Sequence, residues 1–449
     1  MALSGLQIYK LLPKTNCKEC GFPTCMAFAM KLAAKQAELS ACPYVTEEAK
    51  VQLEEASAPP IRLITLSADG YKAEAGNETV LFRHEKTFYH KTGLFVRVRD
   101  TQPAAEIEAL VQQVRDYAVD YVGLALKLDG LAVEAASGDP ARYAAAVKSA
   151  LGVGRPLVLL APDPALAEAG LKAAAGTQPL LWGADAENWQ AMAALAKAHK
   201  VPLGVRGNGD LTALATLTEQ IKGVGVEDLV LDPGPRDPLG LLTTFTQIRR
   251  LVLKHNLRAL GYPLIAFAGE GGDGVEAEPL LAAQCIAKYA GFVVLDHFTP
   301  ATAYGLLVWR QNIFTDPQKP IQVEPGIYEI NNPKPESPVM VTTNFSITYF
   351  AVKNEVEASG RPGWLLVADA EGMSVLTAWA AGKFDADKIA KTVKGTGIET
   401  KINHRKVIIP GHVAVLSGEL EEELPGWQIL VGPREAVDLP GFLKLWSAL

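Results

Sequence analysis

From residue 61 onward, short β-rich runs alternate with longer Ala- and Leu-rich stretches. The short runs are "GLFVRV" (93–98), "YVGLALK" (121–127), "PLVLLA" (156–161), "PLLWG" (179–183), "VPLGVR" (201–206), "DLVLD" (228–232), "PLIAFA" (263–268) and "FVVLD" (292–296). Between them lie helical segments such as "PAAEIEALVQQVRDYA" (103–118), "AENWQAMAALAKAHK" (186–200), "DLTALATLTEQIKG" (210–223) and "LGLLTTFTQIRRLVLKH" (239–255). A strand-then-helix unit repeated about eight times predicts a (β/α)8 TIM barrel, with an open doubly wound sheet as the alternative. "IRLITL" (61–66) and "TVLFRH" (79–84) predict a hairpin that seals the barrel's floor.

The pattern changes at both ends. "EINNPKPESPVM" (329–340) is too rich in proline and polar residues for a helix or strand. Beyond it a smaller α/β pattern follows, with strands at "VMVTTN" (339–344), "WLLVAD" (364–369), "KVIIPG" (406–411) and "WQILVG" (427–432). Its helices are predicted at "GMSVLTAWAAGKF" (372–384), "DADKIAKTVKG" (385–395) and "HVAVLSGELEEEL" (412–424). At the other end, Met26–Leu39 favours helix, and "TEEAKVQLEEA" (46–56) has Thr46 as its N-cap and acids in its first turn. Pro59 and Pro60 then form a stiff linker. The predicted domains are therefore 1–57, 61–325 and 331–449, with joints at Pro59–Pro60 and Pro333–Pro338 that let them move relative to one another.

Composition fits three soluble cores: 449 residues, 49% hydrophobic and 21% charged. A net charge of −7 without a long basic run argues against nucleic-acid binding. No apolar run approaches the ~20 residues that span a bilayer, and the opening "MALSGLQIYKLLPK" lacks the pattern of a signal peptide. The expected location is the cytoplasm, away from membranes.

Four of the five cysteines crowd into residues 16–44, "NCKECGFPTCMAFAMKLAAKQAELSACPY". In a reducing compartment such clustering points to a metal more than to disulfides. Cys17, Cys20, Cys25 and Cys42 read CxxC, then gaps of four and sixteen, with Pro43 after the last. Structural zinc usually takes two CxxC-like pairs, and only one is present. Three close cysteines plus a distant Cys-Pro are nearer to iron–sulfur ligation; zinc and a redox dithiol stay open. Cys285, in "EPLLAAQCIAKYAG", reads as a buried core thiol.

The barrel strands end at "VRGNGD", "LDPGPRD", "FAGEGGDG" and "LDHF", where barrel sites lie. "GEGGDG" is a weak phosphate-loop match without a P-loop lysine. Asn208, Asp210 and Asp232 read first as caps, and His297 is ambiguous. In the terminal domain the strands end at "TTNFS", "DAEGMS", "PGH" and "GPRE". Thr343, Asn344, Ser346 and Ser374 offer neutral hydrogen bonds, Gly372 lets backbone approach closely, and Met373 adds an apolar contact. That combination suits a large, flat, neutral-polar cofactor better than a reacting substrate.

The cysteine segment, the barrel and the stretches "VTTNFSITYF", "DAEGMSVLTAWAAGKF" and "SGELEEELPGWQILVGPREA" together resemble the large (gamma) subunits of corrinoid iron-sulfur proteins, of the acetyl-CoA decarbonylase/synthase complex family. The resemblance spans essentially the whole chain. It implies a four-iron four-sulfur cluster on Cys17, Cys20, Cys25 and Cys42, and a corrinoid (cobamide) held by Thr343, Asn344, Ser346, the turn Ala370, Glu371, Gly372, Met373 and Ser374, and the Gly432–Pro433 loop. It also implies a methyl carrier of the reductive acetyl-CoA pathway rather than a stand-alone enzyme. The implied partners are a small corrinoid iron-sulfur subunit in a heterodimer, a methyltetrahydrofolate methyltransferase, acetyl-CoA synthase, and a reductive activator or ferredoxin. None of the seven histidines lies in a DxHxxG pattern, so no axial ligand to cobalt is expected from this chain, and His404 and His412 are taken as structural. The rival reading is a barrel methyltransferase or hydrolase built on Asn208, Asp232 and His297, with a structural metal in the cysteine segment. A simple electron-transfer protein would leave the terminal domain unexplained.

Overall fold

A computed structural model describes residues 5–33, 36–46, 49, 59–272, 276–316 and 320–446. Two compact units emerge, one from Met1–Ala118 with Lys127–Phe314, the other from Val119–Leu126 with Thr315–Leu449.

The first unit opens with helices Gly5–Leu11 and Cys25–Ala33 and a 3-10 turn, Leu39–Ala41. Thr46 Oγ1 accepts from the Ala49 N–H at 3.2 Å, as an N-cap does; the rest of the helix predicted at 46–56 lies outside the described residues. A hairpin follows, β1 (Ile64–Ala68) and β2 (Tyr71–Ala75), paired antiparallel. Its first strand matches the predicted "IRLITL". The partner is the segment immediately after the Asp69–Gly70 turn, where both residues have positive φ, and "TVLFRH" forms no strand.

In chain order there follow β3 (Gly93–Arg99), the short β4 (Val119–Tyr121) and β5 (Leu124–Leu126), which belong to the second unit, and then β6 (Gly130–Glu134), β7 (Leu157–Leu160), β8 (Leu180–Ala184), β9 (Leu203–Arg206), β10 (Leu229–Asp232), β11 (Leu264–Phe267) and β12 (Ala290–Leu295). Eight of these, β3 and β6 to β12, close into an all-parallel barrel. The predicted count of eight holds, but one member changes. "YVGLALK" is the antiparallel β4–β5 hairpin, turning on Val122 and Gly123 at φ 45° and 83°, and the barrel strand is "GLAVE" at 130–134. Inside the barrel Phe95, Val158, Leu160, Phe267 and Phe292 pack with Ile64, Leu66, Ala73 and Ala75 of the hairpin. Ala75 meets Gly291 at the start of β12, so the hairpin closes the amino ends of the strands and leaves the carboxyl ends to the loops. Three outer helices start with Asp-Pro pairs, at Asp139, Asp163 and Asp237, each aspartate capping free N–H groups while proline fills the first turn.

The second unit holds a five-stranded sheet: β13 (Gly326–Ile330), β14 (Val339–Thr343), β15 (Gly363–Ala368), β16 (Lys406–Ile409) and β17 (Gln428–Val431). The order is β13-β15-β14-β16-β17, with only the edge strand β13 antiparallel. Alternate side chains serve opposite faces. Val339, Val341, Leu366 and Ala368 pack under helices Val375–Ala380, Ala386–Gly395 and Ser417–Glu423. Met340, Leu365, Val367 and Ile408 pack against Tyr349 and Val356 of helix Ser346–Ala358 and Leu439 and Leu443 of helix Leu439–Leu443. The chain moves from β14 outward to β15, then crosses back to β16 on the other side of β14. That reversal makes a topological switch point between β14 and β16, where the strands share a single pair, Met340 with Ile408.

Candidate functional site

The four clustered cysteines gather in one small fold. Cys25 begins its helix and is buried, Cys42 follows the 3-10 turn and is buried, Cys20 is half-buried and Cys17 exposed. Cys20, Cys25 and Cys42 share an apolar cluster with Ile8, Leu12, Phe28 and Val45. Tyr44 donates a 2.7 Å hydrogen bond to Glu19, the first cause of a raised phenol pKa. The backbone between the helices is left-handed at Lys14, Asn16, Lys18 and Gly21. For non-glycine residues that costs about 1–2 kcal/mol each; the Asn16 N–H is directed at Cys25 Sγ, 3.4 Å away. Among the described residues no three His, Cys, Asp or Glu side chains draw together tightly enough to close on a single ion.

At the switch point of the second unit the carboxyl ends of β14, β16 and β17 frame an open cleft of about 320 Å³. Thr342, Ser374, Pro410, His412, Gly432 and Pro433 line it, together with an apolar wall from Ile347, Ala351, Val352, Leu376 and Leu439. Gly411 allows the two strand-end loops to meet, since a Cβ there would lie 2.5 Å from the Gly432 carbonyl oxygen. Three hydroxyls at the end of β14, on Thr342, Thr343 and Ser346, are buried without a hydrogen-bond partner. Leaving such groups unpaired costs about 1–3 kcal/mol each, so their clustering beside a cleft marks a place built to meet polar groups from outside.

The residues predicted for a corrinoid divide into two roles. Ser374, Gly432 and Pro433 line the cleft, and Thr343 and Ser346 flank lining residues in sequence. Asn344 does not offer itself to a ligand. Its Oδ1 accepts from the N–H groups of Ala370 and Gly372 at 2.9 and 3.0 Å, and its Nδ2 donates to Gln322 and Asp369 at 3.2 and 3.3 Å. All its capacity is used in holding the turn at 370–372. Ala370 is in the core, Met373 packs on it, and Glu371, at φ 55°, pairs with Lys383. Gly372, at φ 73°, sits against Gln322. These four shape the turn that delivers Ser374. The apolar wall of helix Ser346–Ala358 escaped the sequence reading because "SITYFAV" is rich in β-branched and aromatic residues. His404 uses both ring nitrogens within the fold, near Ser337 O and Lys406 N, as a structural histidine does. His412 instead lines the cleft, with Nε2 3.6 Å from Glu435.

The barrel's carboxyl end is different in kind. Asp210 caps helix Leu211–Gly223, and Asn208 accepts from the Asp210 N–H. Asp232, fully buried, takes both arms of Arg236 at 2.8 Å. Arg97, also buried, reaches Glu134, Glu270 and Asp296 at 3.3, 2.5 and 3.2 Å. Burial alone would raise the Glu270 pKa, but hydrogen bonds from Arg97 and Arg236 outweigh it and hold the carboxyl below its ordinary value. His297 is held at Nδ1 by the buried Glu278 at 2.7 Å. In the "GEGGDG" loop Asp273 and Gly274 lie outside the described residues. Asp232, Glu134, Glu270 and Asp296 are thus each paired with an arginine.

Comparison with known proteins decides the family. The corrinoid/iron-sulfur protein large subunit of Moorella thermoacetica is 45% identical over 445 residues, 99% of each chain. The chain belongs to the corrinoid/iron-sulfur protein large-subunit family. The acetyl-CoA decarbonylase/synthase complex subunit gamma of Archaeoglobus fulgidus is 38% identical over 98% of both chains. A family model described as "CO dehydrogenase/acetyl-CoA synthase delta subunit" matches residues 63–443, and one described as "Putative Fe-S cluster" matches 12–44. The full-length relatives align through the cysteine segment as well as the barrel and terminal unit. A solved dihydropteroate synthase from Thermus thermophilus aligns with 55% of this chain and 98% of its own, at 18% identity and a TM-score of 0.38. No helix among the described residues is long and apolar enough to cross a membrane.

Proposed function

We propose that this chain is the large subunit of a corrinoid iron–sulfur methyl carrier. The single observation that carries the reading is the switch-point cleft with its buried, unpaired hydroxyls on Thr342, Thr343 and Ser346. A corrinoid carries many amide side chains around a flat apolar ring. The residues fit it: the hydroxyls, Ser374 and the Gly432–Pro433 backbone would meet the amides, and Ile347, Val352 and Leu376 the ring. Cys17, Cys20, Cys25 and Cys42 would hold a four-iron four-sulfur cluster, and three close cysteines with a distant fourth before Pro43 support a cluster over a lone zinc. When bound, the corrinoid supplies a cobalt that accepts and releases a methyl group, and the cluster supplies low-potential electrons that restore it.

In this reading the barrel is a scaffold. The methyl comes from a methyltetrahydrofolate methyltransferase and goes to acetyl-CoA synthase, in the cytoplasm. The names of the relatives support a small subunit as partner and membership of an acetyl-CoA decarbonylase/synthase assembly. A ferredoxin or reductive activator completes the set.

The test is the double variant Thr343→Val and Ser346→Ala, purified anaerobically with the small subunit. Cobalt per chain should fall severalfold while iron stays unchanged. Full cobalt retention would count against the cleft as the corrinoid's seat.

A further inference from the structure

We propose that Asn16, which is not one of the cysteine ligands, positions Cys25 and thereby sets the reduction potential of the cluster; this rests on the cluster reading above. Asn16 stands one residue before Cys17 at φ 49°, a left-handed conformation that asparagine tolerates better than most residues. Lys14 and Lys18 on either side share that region, at φ 59° and 67°.

Two hydrogen bonds join Asn16 to Cys25 in opposite senses. The Cys25 N–H donates to Asn16 Oδ1 at 2.8 Å, and the Asn16 N–H donates to Cys25 Sγ at 3.4 Å. Cys25 is the first residue of its helix, so its N–H has no partner within the helix. The Asn16 amide supplies one, while Thr24 Oγ1 takes the Ala27 N–H at 3.1 Å. The side chain thus fixes the distance between two backbone segments and closes the loop that carries Cys17 and Cys20. In doing so it keeps the Asn16 N–H on the Cys25 sulfur.

An N–H directed at a ligating sulfur withdraws electron density and favours the more negative, reduced cluster. Losing that bond therefore lowers the potential. A residue that only shaped the loop would change iron retention and leave the potential of intact clusters alone.

Two variants separate these roles in the full chain purified with its small subunit. Asn16→Gly keeps the left-handed backbone and removes the amide that anchors Cys25. Asn16→Asp keeps an acceptor for the Cys25 N–H. Iron per chain is measured first, then the cluster midpoint by a redox titration followed by electron paramagnetic resonance. Asn16→Gly is expected to hold its iron and to shift to a more negative midpoint, and Asn16→Asp to retain iron at the wild-type level. A wild-type midpoint in Asn16→Gly would overturn the role of Asn16. If Asn16→Gly loses part of its iron, the midpoint of the clusters that stay intact decides: a more negative value supports the proposal, and a wild-type value overturns it. Wild-type protein without iron would instead overturn the cluster reading beneath.

Discussion

Replacing Asn344 with leucine, which has nearly the same volume, should uncouple the turn at 370–374 from β14. Asn344 is 1% exposed, and its Oδ1 is the partner of two buried N–H groups, those of Ala370 and Gly372. Leucine leaves both unpaired, at about 1–3 kcal/mol each, so the variant should lose about 2–6 kcal/mol. Against a typical total of about 5–15 kcal/mol that is a large fraction. Urea denaturation should show a lower midpoint, and hydrogen exchange should speed up in the peptide covering 369–374. Asn344→Asp sharpens the argument, because it keeps the acceptor oxygen but turns a donor toward Asp369, now 3.3 Å away, into a carboxylate oxygen. Two carboxylates that repel bind a proton more readily folded than unfolded. The deficit relative to wild type is therefore full at neutral pH and shrinks on acidification. An unchanged urea midpoint for Asn344→Leu, or a pH-independent deficit for Asn344→Asp, would refute the reasoning.

Three further outcomes follow from other parts of the chain. Burial pushes the Cys285 thiol up to about 12, so iodoacetamide at pH 8 should leave it unmodified in the native protein and alkylate it in urea, as peptide mass spectrometry would show. Arg97→Met removes one of two arginine partners from each of Glu134, Glu270 and Asp296, leaving Arg99 on the first and last and Arg236 on Glu270, and should cost about 1–3 kcal/mol by denaturation. Glu270's depressed pKa means that its stabilising contribution is present above its ordinary value of 4.5 and lost as pH falls through the lower folded value; the variant, which keeps the Arg236 bond, should show a smaller acid-side loss. His412→Ala should leave the cobalt spectrum without change, and loss of an axial-nitrogen signal would show that this cleft histidine is a ligand.

Much of this architecture is written in local chemistry. Seven barrel strands stand out as apolar runs because parallel strands are covered on both faces, and Asp-Pro pairs announce where helices begin. The eighth strand, "GLAVE", has five residues, so the longer apolar "YVGLALK" outcompetes it on pattern alone. What exposes the error is Val122 at positive φ, a conformation that a β-branched residue rarely adopts and no pattern foretells. The cleft's polar loops were legible as strand ends. Which of their residues face a ligand was not: Asn344, directly after β14, and Ser374, at the end of the loop after β15, are both small polar residues, and only the fold shows that one is saturated and the other lines the cleft. The apolar wall was hidden for a related reason, since "SITYFAV" has strand propensity and tertiary packing makes it a helix. The cysteine spacing was read directly, because four thiols in 26 residues have few structural uses in a reducing compartment.

The most direct test of the carrier reading is the metal content of the chain purified anaerobically with its small subunit from a corrinoid-making host. The account predicts about four irons and about one cobalt per chain, without zinc. About one zinc and no cobalt would contradict it, making the cysteine segment a structural staple and returning attention to the barrel.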